Sequence, residues 1–199
     1  VTFSFTGPQP PPAAYLPSLP PALPGPYVFT AADAGSAFFT TAWFRPGRYS
    51  LRATATNLTR STSTIAIDVN VGEATRLEID GPPSYVAGTR PTATVRATDD
   101  YRNVATYFDD NVTIGGSTEL WYTELEMFEG ENWSYFAFTM TTAGDYVITA
   151  DGAGLHGETN VTVLAGDAAR VRVTGPEEIP QDDNASLEVR VTDYYDNTV

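Results

Sequence analysis

The 199-residue chain has no cysteine and no lysine, and His156 is its single histidine. Without cysteine there is no disulfide, no thiolate metal site and no thiol nucleophile. All eleven basic residues are arginine, set against 25 Asp and Glu, for a net charge of −14. That balance excludes nucleic acid as a partner, because no basic patch could release phosphate counterions, and an anionic membrane surface would repel the chain. No run of about 18 apolar residues occurs, so no membrane-spanning helix is expected. An amphipathic helical stripe of useful length is missing as well. The chain opens at "VTFSF" with neither Met nor a leader-like segment, and reads as a mature or internal stretch of a longer polypeptide.

Catalytic constellations are equally scarce. A Ser-His-acid triad would have to use His156, which stands in the Gly-rich "GAGLHGE" with no Gly-x-Ser-x-Gly elbow elsewhere. A zinc site needs several His or Cys ligands. Carboxylates abound, but neighbouring aspartates on an extended chain point to opposite faces and do not oppose each other across a cleft, as glycoside hydrolysis requires. The expectation is a protein that is not an enzyme and carries no organic cofactor.

What the chain does have is a repeat. "VGEATRLEIDGPPSYVAG" aligns with "AGDAARVRVTGPEEIPQD" at an offset of 94 residues, Gly72 on Gly166 and Asp99 on Asp193. "FRPGRYSLRATA" aligns with "TTAGDYVITADG", Gly47 on Gly144 and Tyr49 on Tyr146, and "VTFSF" with "VTIGG", Val1 on Val112. The unit is about 95 residues and is held in a permuted frame. Residues 1–71 are the later part of one unit, 72–165 a complete unit and 166–199 the opening of another. Within the units, "TIAIDVNV", "TATVRAT", "YVITA" and "SLEVRVTD" alternate with period two, and Gly-Pro, Pro-Gly and Asp-Gly punctuate them, as strands and turns do. "ELWYTELEMFEG" has a mixed period and is read as strand. Some seven short antiparallel strands per unit predict a β-sandwich.

"GEATRLEIDGPPSYVAGTRPTATVRATDDYRNV", with its Gly-Pro, its Ala-Gly and its closing Asp-x-Tyr-x-Asn, resembles the bacterial and archaeal Ig-like repeats of large surface proteins, and "TAGDYVITA" is similar to their later Ala-Gly-x-Tyr strand. The resemblance implies tandem immunoglobulin-like β-sandwiches and a place outside the cell. Where those repeats carry glycine in the Asp-x-Tyr-Gly-Asn turn, this chain carries Arg102 and Asp196.

Four further features are candidates for function. Nine of the fifteen prolines crowd into residues 7–26, a segment unable to serve as a central strand. It is expected as an extended loop whose Tyr15, Leu16, Leu19 and Leu23 pack on its own domain or dock on a neighbouring subunit. Asp99, Asp100, Asp109 and Asp110 offer hard oxygens to a Ca²⁺ ion, although turn aspartates also serve their own backbone. Five of the eight asparagines, Asn57, Asn111, Asn132, Asn160 and Asn184, stand in Asn-x-Ser/Thr and point to N-glycosylation. The aromatic run from Trp121 through Tyr122, Phe128, Trp133, Tyr135 and Phe136 to Phe138 reads as sandwich core or as a sugar-stacking platform.

Together these imply a glycosylated extracellular repeat protein forming a filament, stalk or sheath with copies of itself. In that reading the opening strands missing from residues 1–71 come from upstream chain or from residues 170–199 of another copy, by strand addition. The alternative is an adhesin or carbohydrate-binding module.

Overall fold

The structure is a computed structural model that describes residues 1–8, 21–55, 62–116 and 123–199. Among them are thirteen β-strands, one 3-10 turn at Ala31–Asp33 and no α-helix, so the chain is all-β, and no helix is long and apolar enough to cross a membrane. The described residues fall into two compact units, Val1–Glu73 with Thr98–Ala105, and Ala74–Ala97 with Thr106–Val199.

The first unit is built on one antiparallel sheet, β1 (Thr2–Thr6), β2 (Gly47–Thr54) and β3 (Thr62–Val69), in the order β1-β2-β3. Phe3 pairs with Ala53, Phe5 with Leu51 and Leu51 with Ile65, so the odd-numbered apolar residues share one face. Residues 21–44 lay aromatic rings on that face. The centroids of Phe39 and Phe3 are 4.9 Å apart, those of Tyr27 and Phe39 5.3 Å, and those of Trp43 and Tyr49 4.6 Å. Leaving β1, the backbone at Gly7 runs so close over the Tyr49 ring that a side chain there would collide with it. The cover is partial. Tyr49 is buried, but Val1, Phe3, Leu51, Ala53, Ile67 and Val69 are only half-buried and Ile65 is 60% exposed.

The second unit holds β4 (Arg76–Asp80), β5 (Ser84–Val86), β6 (Thr92–Thr98), β7 (Asp110–Gly116), β8 (Thr123–Met127), β9 (Ser134–Ala137), β10 (Gly144–Gly152), β11 (Leu155–Leu164), β12 (Arg170–Thr174) and β13 (Glu188–Thr192). β4-β6-β9 form one sheet and β5-β11-β10-β7-β8 the other, with β5 running parallel to β11. The inward residues Val95, Val112, Ile114, Ile148, Val161 and Val163, each 2% exposed or less, make a filled sandwich core.

Strand pairing follows the sequence repeat. Leu51 opposes Phe5 as Ile148 opposes Gly116, and Thr54 opposes Thr2 as Asp151 opposes Thr113. Arg76–Asp80 and Arg170–Thr174, 94 residues apart, are both strands. The β12–β13 hairpin pairs Val171 with Val191 and Val173 with Val189. These four and Leu187 are 41–67% exposed, whereas their counterparts at the same offset include Leu77 at 2%, Ala93 at 3%, Val95 at 0% and Ala97 at 1%.

Candidate functional site

The repeated Asp-x-Tyr-x-Asn segment builds the same constellation twice. At the end of β6, Asp99 Oδ1 accepts the amide N–H groups of Tyr101 (2.9 Å) and Asn103 (2.8 Å), closing an Asx-type turn. Oδ2 accepts the Asn103 side-chain amide at 2.9 Å and the Gly72 N–H at 3.3 Å. Asn103 Nδ2 also donates to the Phe44 carbonyl at 2.8 Å, 59 residues away in sequence, and the Phe44 ring packs 5.0 Å from that of Tyr101. Asp99 and Asn103 are both buried.

In the second unit Asp193 accepts from Tyr195 N–H (2.9 Å), Asn197 N–H (2.9 Å), Asn197 Nδ2 (2.8 Å) and Gly166 N–H (2.8 Å), while Asn197 Nδ2 donates to the Thr141 carbonyl at 2.8 Å. Burial pushes the Asp193 carboxyl up, but the hydrogen bonds from Asn197, Gly166 and Tyr195 outweigh it and hold the group below the usual range. The turn needs a left-handed backbone before its Asn, which glycine would supply freely. Here Arg102 (φ 62°) and Asp196 (φ 71°) adopt it instead, so the turn forms without the glycine that the resembling repeats use there.

Phe44 and Thr141 are equivalent positions, each three residues before its repeated glycine. The next carbonyl in each case, Arg45 or Thr142, accepts the hydroxyl of the repeated tyrosine: Tyr49 at 3.2 Å and Tyr146 at 2.9 Å. This is a tyrosine corner, in which an early residue of a strand ties the chain that leads into it. Two successive carbonyls are thus held, one by the strand's own tyrosine and one by the asparagine of the turn. The second copy adds Ala143 N–H donating to Asn197 Oδ1 at 2.7 Å, a bond the first cannot make because Pro46 stands there without an N–H. Motif and offset were visible in the sequence. The acceptors were not, because a backbone carbonyl leaves no residue signature.

The calcium expectation on Asp99, Asp100, Asp109 and Asp110 meets a different use of these groups. Both Asp99 oxygens are filled by N–H donors, and Asp110 Oδ1 accepts the Asn111 N–H at 2.7 Å. Among the described residues no three or more His, Cys, Asp or Glu side chains are placed to hold a metal ion. Of the docking residues in the Pro-rich segment, Tyr15, Leu16 and Leu19 lie outside the described residues. Leu23 is half-buried beside the backbone bridge of Ala22 to Ala42, which ties that end of the segment to its own unit.

Of the sequon asparagines, Asn57 lies outside the described residues and the other four are exposed. Asn132 and Asn184 lie in loops, whereas Asn111 is on β7 and Asn160 on β11. The Asn111 side-chain amide is already engaged, donating to Glu124 Oε1 at 2.9 Å. Modification consumes that amide and needs local access. Peptide mapping of the chain produced in an N-glycosylating host is therefore expected to find Asn132 and Asn184 more fully occupied than Asn160, and Asn111 least. Full occupancy at Asn111 would defeat this ranking.

His156 Nδ1 lies 2.7 Å from Asp151 Oδ1 across the β10–β11 pair, with both side chains more than half exposed. That hydrogen bond raises the imidazole above its usual 6.5, burial opposes it, and the charges of Asp151 and Glu158 add to the rise. Because the folded value is raised, the pair adds stability below the ordinary histidine value and loses it as pH climbs through the raised one. Proton NMR should find a midpoint above 6.5 that falls back on Asp151→Asn. The unfolding free energy should change little, as for other surface pairs.

The aromatic run divides. Phe136 and Phe138 are buried, with Phe138 edge-on to Tyr85, while Phe128, Trp133 and Tyr135 are exposed, and Trp121 and Tyr122 lie outside the described residues. Period two explains the division along β9, where Tyr135 points out and Phe136 in.

No protein-family model matches the chain, and no curated protein sequence does. Among solved structures, the chain is similar to the S-layer protein SbsC, at 19% identity over 78% of this chain and 21% of that one, with a TM-score of 0.38. A β-glycosidase from Bacteroides vulgatus is similar at 14% identity over 70% of this chain and 19% of its own, TM-score 0.42. A glycosyl hydrolase family 2 member from Bacteroides cellulosilyticus is similar at 12% identity over 68% and 19%, TM-score 0.43. The chain spans only 19–21% of the length of these three proteins.

Proposed function

We propose that the chain is a stretch of an extracellular structural protein in which immunoglobulin-like sandwiches follow one another in series, joined by the Asp-x-Tyr-x-Asn turn. One observation carries the reading: the turn makes the same set of contacts twice, each time reaching the carbonyl that precedes the Gly-x-Tyr strand of the preceding repeat. A contact repeated at the period of the sequence is a joint between repeats. Residues 1–71, 72–165 and 166–199 are then the later strands of one sandwich, a whole sandwich, and the opening strands of a third. The tyrosine corners and the parallel β5–β11 pair support the immunoglobulin-like assignment.

The same frame accounts for the half-covered face of β1-β2-β3 and the bare face of β12–β13. In the complete repeat the equivalents of both are buried against each other. Head-to-tail complementation supplies each face with its cover, whether from the same polypeptide or from another copy, and a contact of that type propagates as a filament or sheath wherever its rotation does not close a ring. The exposed sequons support a place outside the cell. Sedimentation of the isolated chain tests the reading: concentration-dependent head-to-tail association is expected, and a monomer at every concentration overturns it.

A further inference from the structure

The loop between β8 and β9 shapes an open groove of ≈ 470 Å³ lined by Glu126, Phe128, Gly130, Glu131, Asn132, Trp133, Ser134 and Tyr135. Its volume falls in the range of small-ligand sites. Phe128, Trp133 and Tyr135 are 52%, 46% and 64% exposed, an unusual amount of ring surface to leave in water. Trp133 Nε1 donates to the Tyr135 hydroxyl at 2.7 Å, and the two rings stand 6.4 Å apart at 80° to each other. The pair is therefore a fixed corner of two π faces, flanked by the carboxylates of Glu126 and Glu131.

We infer that this groove seats the first sugars of an N-linked glycan carried on Asn132, a reading that rests on occupancy of that sequon. The ligand class follows from the lining. A pyranose offers an apolar C–H face to an aromatic ring and hydroxyls on its rim to carboxylates that accept hydrogen bonds. The source follows from position: Asn132 is itself part of the lining, exposed and in a bend immediately before Trp133. A sugar attached at its Nδ2 is held beside the rings at high effective concentration, and rings already fixed lose little freedom on contact. Asn184 provides the contrast, since it stands in a loop whose neighbours Asp183 and Ala185 offer no ring.

The test uses the chain produced in an N-glycosylating host. Mass spectrometry first establishes whether Asn132 is occupied; an empty Asn132 overturns the inference together with the sequon reading at that position. On the occupied form, sugar C–H resonances at Asn132 should be shifted upfield by the rings relative to those at Asn184. Endoglycosidase should release the Asn132 glycan about tenfold more slowly from the native chain. Trp133→Ala should abolish both differences, and Trp133→Phe should keep part of them. An occupied Asn132 with unshifted sugar resonances and unprotected release overturns the groove assignment while leaving glycosylation standing. So does an Asn132→Gln chain that binds free chitobiose in the groove when the tethered glycan does not touch it.

Discussion

Val189→Asp is expected to abolish the head-to-tail association proposed for the 199-residue chain and leave it monomeric. Val189 lies on the exposed face of β13, opposite Val173, and its counterpart Val95 is 0% exposed in the complete sandwich. If the β12–β13 hairpin covers the β1-β2-β3 sheet of another copy, Val189 becomes core there. Losing a buried Val side chain costs about 1.5–3 kcal/mol, and placing a carboxylate in the same pocket adds several more unless it is neutralised. A total of about 4 kcal/mol weakens association roughly a thousandfold. The substituted residue is solvent-exposed in the isolated chain, so the thermal transition of the complete sandwich should stay where it was. Sedimentation velocity of the two chains over a concentration series decides the matter. Association that survives Val189→Asp unchanged rules out the hairpin as the donated element.

The mirror substitution sits on the other partner. Ile65 on β3 is 60% exposed and faces the side already half-covered by Phe39 and Trp43. A charge at Ile65 should block association as Val189→Asp does, and mixing the two variants should yield dimers that stop there, each carrying one intact face. Isologous dimers would not respond in that way, because only a head-to-tail contact leaves complementary halves on different variants.

The fold was legible in the sequence to the extent that side chains reported it. Period-two alternation located the strands, and three separate offsets, Val1 with Val112, Gly47 with Gly144 and Gly72 with Gly166, return as equivalent strand registers. The mixed-period "ELWYTELEMFEG" does contain a strand, β8. What stayed hidden depends on backbone atoms or on burial. The turn's acceptors are carbonyls of Phe44 and Thr141, and no alternation rule distinguishes Phe128, Trp133 and Tyr135 on a surface from Phe136 and Phe138 in a core until the strand phase is known. The left-handed Arg102 and Asp196 belong to the same class: the hydrogen bonds of Asp99 and Asp193 impose a backbone conformation that the residue's own preference would avoid. A cluster of four aspartates suggested a cation by composition, while geometry assigns Asp99 to four N–H donors.

Those four donors make Asp99→Ala the most damaging single substitution expected in the first unit. The N–H groups of Tyr101, Asn103 and Gly72 and the side-chain amide of Asn103 all lose their acceptor, in a place where Asp99 is 4% and Asn103 8% exposed. Each orphaned buried donor costs about 1–3 kcal/mol, offset where water can enter, so a net loss of about 3 kcal/mol is expected. Amide hydrogen exchange reads it locally: protection of Tyr101 and Asn103 should fall roughly a hundredfold. Asp99→Asn should cost nearly as much, since its NH₂ would face the Gly72 N–H or the Asn103 amide, donor against donor. Asp109→Ala, at an exposed position, should change stability by no more than about 0.5 kcal/mol. The second copy adds a pH signature. The Asp193 carboxyl is held below its ordinary 3.8, so its contribution is complete above that value and disappears only as pH falls through the lowered one. Protection of Gly166, Tyr195 and Asn197 should persist down to the ordinary aspartate value of 3.8 and be lost only below it. Collapse near pH 6 would mean that the carboxylate is not what holds the turn. The two copies should also differ in a defined direction: Asn197→Ala strands the Ala143 N–H, while Asn103→Ala faces Pro46, which has none to strand. The second substitution should therefore be the milder by about 1 kcal/mol. The reverse order would mean that the Ala143 N–H bond adds nothing to the second turn.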